Sequence, residues 1–330
     1  MKAFAGLLLS LALLVSACGS DDEPTSAWVD EDVSFTAENL TIHGTYRHER
    51  GGAPGPAALL ISESGNTDRN GDNAVAGPVG NMRQLAELLS DKGVASLRYD
   101  KIGTGKTGLG PYSQRPQDVV SSVYTTGAKA AVSYLAEQSA TDKSRISVYA
   151  VGEGTVHAMA LATDANVGAP KIHSLALLQP LPGRYLDIIT NRVRASASPE
   201  ALTTWLAAVD EVRTEGTVPN NLPEGLGALV NAGNVKAVIE ADKIDPLTLA
   251  AEVPAGTPVL ITCSDADKQA TCESIRPLED ALEHTALTVV ELEGVSHVLR
   301  DDPTDNVANY AKQDPLSPQL VSALDEFVGK

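Results

Sequence analysis

The chain has 330 residues, of which 43 are acidic and 25 are basic, so its formal net charge at pH 7 is −18. A surface this acidic repels nucleic acid and anionic lipid headgroups, which argues against a nucleic-acid-binding protein and against attachment to a membrane through basic charge. The length suits one large domain, with or without an inserted subdomain.

The first residues have the properties of a secretory signal. Residues 1–17 contain one charged residue, Lys2, followed by an apolar run at 3–15 that is too short to span a bilayer. The ending VSAC at 15–18 resembles the lipobox of bacterial lipoproteins, which implies that the signal peptide is cut before Cys18 and that Cys18 is lipidated. We therefore expect an extracytoplasmic protein of the bacterial cell envelope, lipid-anchored in the membrane through Cys18, with residues 18–32 as a tether.

Short β-branched or apolar runs then alternate with longer helical patterns. The runs that predict strands lie at 33–37, 40–46, 57–62, 94–99, 146–151, 172–178, 258–263 and 288–293. The first two suggest a hairpin, whereas the later ones are separated by helices such as the one ending at Gly93, a typical C-cap. This order predicts an α/β protein with a mostly parallel, eight-stranded sheet flanked by helices.

Residues 181–254 interrupt this alternation. They contain helical patterns such as EALTTWLAAVDEVR and no convincing strand. We predict an inserted helical cap between two parts of the core, 33–180 and 255–330, lying over the carboxyl ends of the strands, where open α/β sheets bind ligands.

Two cysteines remain besides Cys18. Cys263 and Cys272 form an even pair in an exported chain, which predicts a disulfide bond. Zinc binding is a poor alternative because no Cys or His cluster lies nearby. We expect no metal ion and no cofactor.

Several motifs together resemble one family. They are SESGNTDRNG at 62–71, LRYDKIGTGKTG at 97–108, PGRYLDIITNRV at 182–193, EGVSHVLR at 293–300 and NYAKQDPLSPQLVSALDEFV at 309–328. On these residues, roughly 40 to 328 of the chain resemble the bacterial carboxylesterase-like members of the α/β-hydrolase fold. The resemblance implies that fold, with an inserted helical cap.

The resemblance also implies a triad in the chain order nucleophile, acid, histidine. Asp267, after the strand PVLITC, matches the acid, and His297 matches the histidine. Both are needed because the carboxylate fixes the imidazole tautomer and stabilises the imidazolium. Asp265 is an alternative to Asp267, which fits the family's spacing better.

The nucleophile position departs from the family. The family's turn reads Gly-His-Ser-x-Gly-Gly, and here the aligned residues 150–155 read AVGEGT, so Gly152 stands where the serine is expected. Glycine has no side chain with which to attack an acyl carbon. It is nevertheless the residue that a strained turn with positive φ prefers. The sequence therefore favours a protein that is impaired as a serine esterase.

The oxyanion region also departs from the family. Glu63 replaces a family glycine in the loop that, with neighbouring Ser64 and with Glu153 of the turn, supplies N–H groups to an oxyanion. A carboxylate there raises the reaction barrier, unless it points away or is neutral. From the sequence, a side chain pointing into the site and one turned to solvent are both open.

Three functional hypotheses follow. A degenerate hydrolase, or pseudoenzyme, binds a small ester-like or acyl ligand. An active hydrolase uses the Asp267–His297 pair with a water in the space left by the serine, or with an unrecognised nucleophile, for which Ser64, Thr155 and His157 are weak alternatives. A purely structural envelope protein has the least support, and the sequence gives no oligomeric state.

Overall fold

A computed structural model describes residues 27–220 and 222–328 of the chain. The predicted signal peptide at 1–17 and the predicted lipidation site, Cys18, lie outside these residues. Within them, no helix combines the length and the apolar character that crossing a bilayer requires.

One eight-stranded sheet forms the centre of the molecule. Its strands are β1 Trp28–Ala37, β2 Leu40–Glu49, β3 Gly55–Ile61, β4 Ala95–Tyr99, β5 Thr141–Val151, β6 Ile172–Leu178, β7 Pro258–Ser264 and β8 Ala286–Leu292. Their order is β1-β2-β4-β3-β5-β6-β7-β8. The β1–β2 and β2–β4 pairs are antiparallel and all others are parallel. All eight predicted strands are present.

The first strand is longer than predicted. It pairs with β2 from Trp28↔Glu49 to Ala37↔Leu40, so residues 28–32 belong to the sheet and not to the predicted tether at 18–32. The last three residues of that segment, 30–32, are exposed on this edge strand. Charged residues are common on edge strands because they discourage pairing with another chain.

Helices cover both faces of the sheet. They are α1 Asn81–Asp91, α2 Ser121–Ala136, α3 Gly154–Ala162, α4 Tyr185–Ser196, α5 Pro199–Thr214, α6 Glu224–Gly227, α7 Val235–Lys243, α8 Pro246–Glu252, α9 Cys272–Ala281, α10 Val307–Tyr310 and α11 Pro318–Phe327, with single 3-10 turns at Gly110–Tyr112 and Pro116–Asp118. Helices α2, α3, α8 and α9 share one core with the sheet, and α1 and α11 share the other. In β3, Leu59 and Ile61 face the first core and Leu60 the second, as the two-residue period of a strand requires.

The inserted segment forms a cap with its own core. Trp205 is fully buried there among residues of α4 to α7, and its indole N–H donates to the Thr190 hydroxyl at 2.9 Å. The cap ends before α8 and not at the predicted residue 254. Ala250 and Val253, in and just after α8, are buried in the main core. Sequence could not separate α8 from the cap helices, since an apolar face looks the same against either core.

The predicted disulfide bond is confirmed. Cys263 in β7 and Cys272 at the start of α9 are joined by an S–S bond of 1.97 Å. The bond closes the loop that carries Asp265 and Asp267.

Candidate active site

Four loops meet at the carboxyl end of the parallel strands. Glu63 follows β3, Gly152 follows β5, Asp267 follows β7 and His297 follows β8. Parallel strands bring such loops to one edge of the sheet, where ligands bind in folds of this kind.

The turn after β5 has the backbone of a nucleophile elbow. Gly152 has φ +54° and donates its N–H to the Leu178 carbonyl at 3.1 Å. A Cβ on Gly154 would lie 2.7 Å from the Ile61 carbonyl oxygen, so only glycine permits this approach of α3 to the end of β3. The sharp strand–turn–helix junction thus follows from two glycines.

Asp267 and His297 lie in contact. The His297 Nδ1 is 2.8 Å from Asp267 Oδ2, and both side chains are buried. The other Asp267 oxygen accepts the Gln269 N–H at 2.7 Å and the Ala270 N–H at 3.2 Å, which fixes the carboxylate. Asp265 instead accepts the Gly294 N–H at 2.7 Å. Asp267 is therefore the acid that orients the imidazole.

The Glu63 carboxylate points into the site and completes this chain. Its Oε2 lies 2.8 Å from His297 Nε2, and its Oε1 accepts the Ser64 N–H at 2.7 Å and a longer contact of 3.5 Å from the Glu153 N–H. A Cβ on Gly152 would lie only 1.4 Å from Glu63 Oε2. One oxygen thus occupies the place of the missing side chain and the other faces the N–H groups predicted to hold an oxyanion.

This arrangement corrects one expectation from the sequence. The space left by the serine does not hold a water for the Asp267–His297 pair to activate, because the Glu63 carboxylate fills it. Of the two orientations left open for Glu63, the structure has the inward one.

Solved structures resemble this chain over nearly its whole length. The Pf2001 esterase of Pyrococcus furiosus is 18% identical, with 91% of this chain and 92% of that chain covered and a TM-score of 0.55. Est1E from Butyrivibrio proteoclasticus, in a structure with bound ferulic acid, is 16% identical over 90% of this chain and 100% of that chain, with a TM-score of 0.57. The α/β hydrolase GrgF from Penicillium sp. sh18 is 18% identical over 82% and 91% of the two chains, with a TM-score of 0.53. The chain has the α/β-hydrolase fold.

Sequence comparison adds nothing to this assignment. No protein-family model matches the chain, and no curated protein matches it. At 16–18% identity the solved structures show the fold of this chain.

The buried charges of the site stabilise one another. Burial favours the neutral form of Glu63, but the adjacent His297 and the Ser64 N–H outweigh it and hold the pKa of Glu63 at about 2. Burial likewise favours neutral His297, yet Glu63 and Asp267 raise its pKa well above the usual value. At neutral pH the site therefore holds an imidazolium between two carboxylates.

A lysine fixes the loop that carries Glu63. The buried ammonium of Lys101 donates to the Ser62 carbonyl at 3.3 Å and to the Glu63 carbonyl. Burial lowers the pKa of Lys101, and it raises the pKa of the neighbouring Glu153 carboxyl, an effect that Lys101 opposes. Lys101 thus fixes the main chain of the loop through two carbonyl groups, and the Glu63 side chain is left to project toward His297.

A small cavity lies beside Glu153, between α3 and the cap. Its volume of about 20 Å³ suffices for one or two waters. Its lining includes the polar residues Glu153 and His157 and the apolar residues Leu181 and Ile244. A larger ligand at this place requires the cap to move.

The weaker nucleophile alternatives, Ser64, Thr155 and His157, have other surroundings and partners than His297 in the described part of the chain. The Thr155 hydroxyl donates to the Gly152 carbonyl at 2.6 Å, and Ser64 is exposed on its loop. His157 is 3.0 Å from the Thr125 hydroxyl, and burial lowers its pKa to about 3, so its imidazole is neutral. None of them has a hydrogen bond to His297 among the described residues.

Sequence reasoning did not find Asp305. Its Oδ1 accepts the His297 N–H at 2.9 Å and the Tyr310 hydroxyl, and its Oδ2 accepts the Lys268 N–H at 3.1 Å. This carboxylate therefore joins the loop of the acid to the loop of the histidine. In the sequence, a lone aspartate in DDPTDN gives no sign of such a role. In the structure, Asp305 has a φ of +43°, which is uncommon for a residue other than glycine.

The described part of the chain offers no set of side chains that would bind a metal ion at this site. Within residues 27–220 and 222–328 there is no group of three or more His, Cys, Asp or Glu side chains arranged to hold a metal ion.

Proposed function

We propose that this chain is a lipid-anchored protein of the bacterial cell envelope that has lost serine-esterase activity and acts as a degenerate, ligand-binding hydrolase. The observation that carries the proposal is the double occupation of the site by Glu63. Its Oε2 lies where a serine side chain would be, and its Oε1 lies against the N–H groups of Ser64 and Glu153. Nucleophile and oxyanion positions are thus both filled by one carboxylate.

The charge state of the site supports the same conclusion. A serine mechanism needs a neutral histidine that accepts the hydroxyl proton. Here Glu63 and Asp267 hold the pKa of His297 well above its usual value, so the imidazole is protonated at neutral pH. A protonated imidazole cannot act as the base.

The ligand we propose is a small ester-like or acyl compound. Est1E, which has the same fold, holds ferulic acid in its structure. In this chain the Ser64 and Glu153 N–H groups face a carboxylate oxygen, which supports an acyl oxygen as their ligand. Binding such a ligand at this place requires Glu63 to move aside.

The proposed anchor rests on the VSAC motif, which ends at Cys18. Metabolic labelling of the expressing cells with a palmitate analogue tests it. We expect label on the wild-type protein in the membrane fraction and none on Cys18→Ser. Equal labelling of the two proteins would overturn the anchor.

The loss of esterase activity is tested on the purified full-length protein with p-nitrophenyl acetate and a fluorophosphonate. We expect no labelling, and turnover no faster than that of the His297→Ala variant. Fluorophosphonate labelling of wild type, or turnover that His297→Ala abolishes, would overturn the degenerate reading.

A second candidate function has one specific observation in its favour. Glu63, His297 and Asp267 form a continuous hydrogen-bonded chain with the order and contacts of a triad, and Glu63 takes the place of the nucleophile. We therefore propose, as the alternative, an active hydrolase in which Glu63 is the nucleophile that the sequence did not reveal.

A further inference from the structure

We propose that this chain has a second binding site, for a small aromatic carboxylate, at the edge of the sheet opposite to Glu63. The site is a cavity of about 190 Å³ beside the C-terminal ends of α1 and α11. Its wall includes Pro56, near the start of β3, and Ser174, near the start of β6, whereas Glu63 follows the end of β3. The two sites therefore lie at opposite ends of β3 and can be tested apart.

The wall of this cavity is basic, although the chain as a whole is acidic. Lys92, Arg145 and His173 line it, and no described residue of the wall carries a carboxylate. Each of four other cavities in the described part of the chain has at least one Asp or Glu in its wall. In a chain with a net charge of −18, a wall whose only charges are basic favours an anion as ligand.

Two irregularities of the sheet bring basic residues to this cavity. In the β5–β6 pair the register shifts so that Ser147 faces Ser174 and His173 is an extra residue. In the β3–β5 pair the register shifts just before Ile146, next to Arg145. Such irregularities change the direction of a side chain and are common beside functional sites. Both shifts therefore lie where the cavity takes a basic side chain from the sheet.

Arg145 and Lys92 keep donors for a ligand. Arg145 Nε donates to Asp142 Oδ2 at 2.8 Å, and Lys92 Nζ lies 2.9 Å from Asp325 Oδ1. The two terminal amino groups of Arg145 form no hydrogen bond within residues 27–220 and 222–328. Two amino groups in one plane fit the two oxygens of a carboxylate, and the ammonium of Lys92 has further N–H groups.

Tyr149 adds a buried hydroxyl that lacks a protein partner. Tyr149 is 2% exposed and lines the cavity, and its hydroxyl forms no hydrogen bond within the described part of the chain. Burial raises the pKa of Tyr149, so the hydroxyl keeps its proton and remains a donor. A buried hydroxyl without a partner lowers stability, and a ligand oxygen in the cavity supplies the missing acceptor.

The apolar part of the wall sets the size and shape of the ligand. Val94 and Phe327 are buried there, and the rings of Tyr149 and Phe327 meet edge to face, with centroids 6.4 Å apart and planes at 75°. Aromatic rings favour such contacts, so a third ring suits this wall. A cavity of about 150 Å³ accepts benzene. A cavity of about 190 Å³ therefore accepts a benzene ring that carries one carboxylate.

¹⁹F NMR of 4-fluorobenzoate with the purified full-length protein tests the ligand class. We expect saturable line broadening that unlabelled benzoate reverses. The amide 4-fluorobenzamide, which has the same shape and no charge, should bind at least about tenfold more weakly. Equal binding of acid and amide overturns the anion site, and displacement of the probe by inorganic phosphate as effectively as by benzoate overturns the aromatic ligand class.

Two arginine variants test the place of binding. Arg145→Gln removes the guanidinium from the cavity wall and should weaken 4-fluorobenzoate binding at least about tenfold. The matched control is Arg83→Gln, which also removes a partly exposed arginine paired with a nearby carboxylate, but near the other end of α1. Equal binding by these two variants overturns the site.

Tyr149→Phe gives a readout that a purely structural hydroxyl would not produce. Without ligand the variant should be at least as stable as wild type in urea, because it removes a hydroxyl that has no partner. It should nevertheless bind 4-fluorobenzoate about tenfold more weakly. Reduced stability together with unchanged binding would overturn the site as proposed.

Glu63→Gln separates this cavity from the site at Glu63. We expect its affinity for 4-fluorobenzoate to equal that of wild type, since the cavity lies at the other end of β3. A probe bound between the Ser64 and Glu153 N–H groups would instead gain affinity when the competing Glu63 charge is removed. Stronger binding by Glu63→Gln, with no effect of Arg145→Gln, would overturn the second site and leave the ligand proposed for the first.

Discussion

The Glu63 carboxylate and Gly152 occupy the site together, because Glu63 Oε2 lies 1.4 Å from the position that a Cβ on Gly152 would take. Either residue alone in a serine esterase would be damaging. Glutamate would collide with the serine side chain, and glycine would leave a hole. Together they replace a hydroxyl by a carboxylate oxygen that still contacts His297 at 2.8 Å. The two departures from the family pattern are therefore one structural change.

This coupling predicts that serine at position 152 lowers the unfolding free energy more while Glu63 is present than when Glu63 is removed. Gly152→Ser makes the new side chain and the Glu63 carboxylate compete for one place beside His297, in addition to straining a residue at φ +54°. We expect a loss of about 3 kcal/mol in unfolding free energy, against about 1 kcal/mol for strain alone. Glu63→Gly with Gly152→Ser should show a coupling energy of about 1–3 kcal/mol in urea denaturation.

The matched control is Gly108→Ser. Gly108 has φ +56°, almost the same as Gly152, and an added Cβ there meets no atom within 4 Å. Its loss should therefore report backbone strain alone. Equal losses for Gly108→Ser and Gly152→Ser would contradict the coupling.

The same geometry predicts which variant regains a serine nucleophile. In Gly152→Ser the Glu63 carboxylate still competes for His297 and for the N–H groups of the oxyanion region, so labelling by a fluorophosphonate should stay slow. In the double variant Glu63→Gly, Gly152→Ser both are free, and we expect labelling at least about tenfold faster, since a single oxyanion donor contributes about 10²–10³ in rate. Adding His297→Ala should abolish it. Equal labelling of the single and double variants would show that Glu63 does not block the site.

The fold was predictable from the sequence because its signals are local. Short β-branched or apolar runs, separated by helical patterns, predicted all eight strands. The polar start of β1 was missed because residues 28–32 are mostly exposed and are ordered by pairing with β2. The cap boundary was misplaced at α8 because an apolar helical face does not show which core covers it.

The sequence predicted those site residues whose position follows from the motif in which they lie. Asp267 and His297 could be placed by the strands that precede them. The contact between Glu63 and Gly152 could not, because it depends on how two loops far apart in sequence approach each other in three dimensions. Asp305 was missed for the same reason, since its role is to bridge two other loops.

The ion pair of Glu63 and His297 predicts a pKa difference between two variants. In Glu63→Gln the imidazole loses one of two carboxylates while burial still favours its neutral form, so the pKa of His297 should fall. Imidazole NMR titration measures it directly. Asp265→Asn is the control, because Asp265 accepts the Gly294 N–H and should leave the pKa unchanged. A pKa that is equal in wild type and Glu63→Gln would mean that no ion pair exists.

The same ion pair predicts how stability depends on pH. The pKa of Glu63 is depressed from 4.5 to about 2, so its contribution is complete above 4.5 and is lost as the pH falls toward 2. The pKa of His297 is raised from 6.5, so its contribution is complete below 6.5 and is lost as the pH rises through the folded-state value. The stability advantage of wild type over Glu63→Gln should therefore be greatest between pH 4.5 and 6.5, at about 2 kcal/mol. Urea denaturation across this range checks it, and an advantage that keeps growing above pH 7 would contradict it.

Asp305 should position His297, and its removal should also lower the unfolding free energy. Asp305→Ala leaves the buried N–H of His297 and the hydroxyl of Tyr310 without their acceptor. We expect unfolding free energy to fall by about 2–4 kcal/mol and the His297 imidazole signals to broaden or shift. Tyr310→Phe, which removes only the hydroxyl, should cost about 1 kcal/mol and leave those signals in place. Unchanged His297 signals in Asp305→Ala would reduce Asp305 to a structural role.

The disulfide bond should stabilise the acid loop in addition to the chain as a whole. Cys263 and Cys272 enclose Asp267, whose carboxylate is fixed by the Gln269 and Ala270 N–H groups of the same loop. Cys263→Ala with Cys272→Ala frees this loop in the unfolded chain, so we expect a loss of about 2–4 kcal/mol in unfolding free energy. It should also lower the pKa of His297, because a loosened loop holds Asp267 less firmly against Nδ1. Urea denaturation and imidazole NMR separate the two effects, and a stability loss with an unchanged His297 pKa would show that the hydrogen bonds of Asp267 hold the loop without the disulfide.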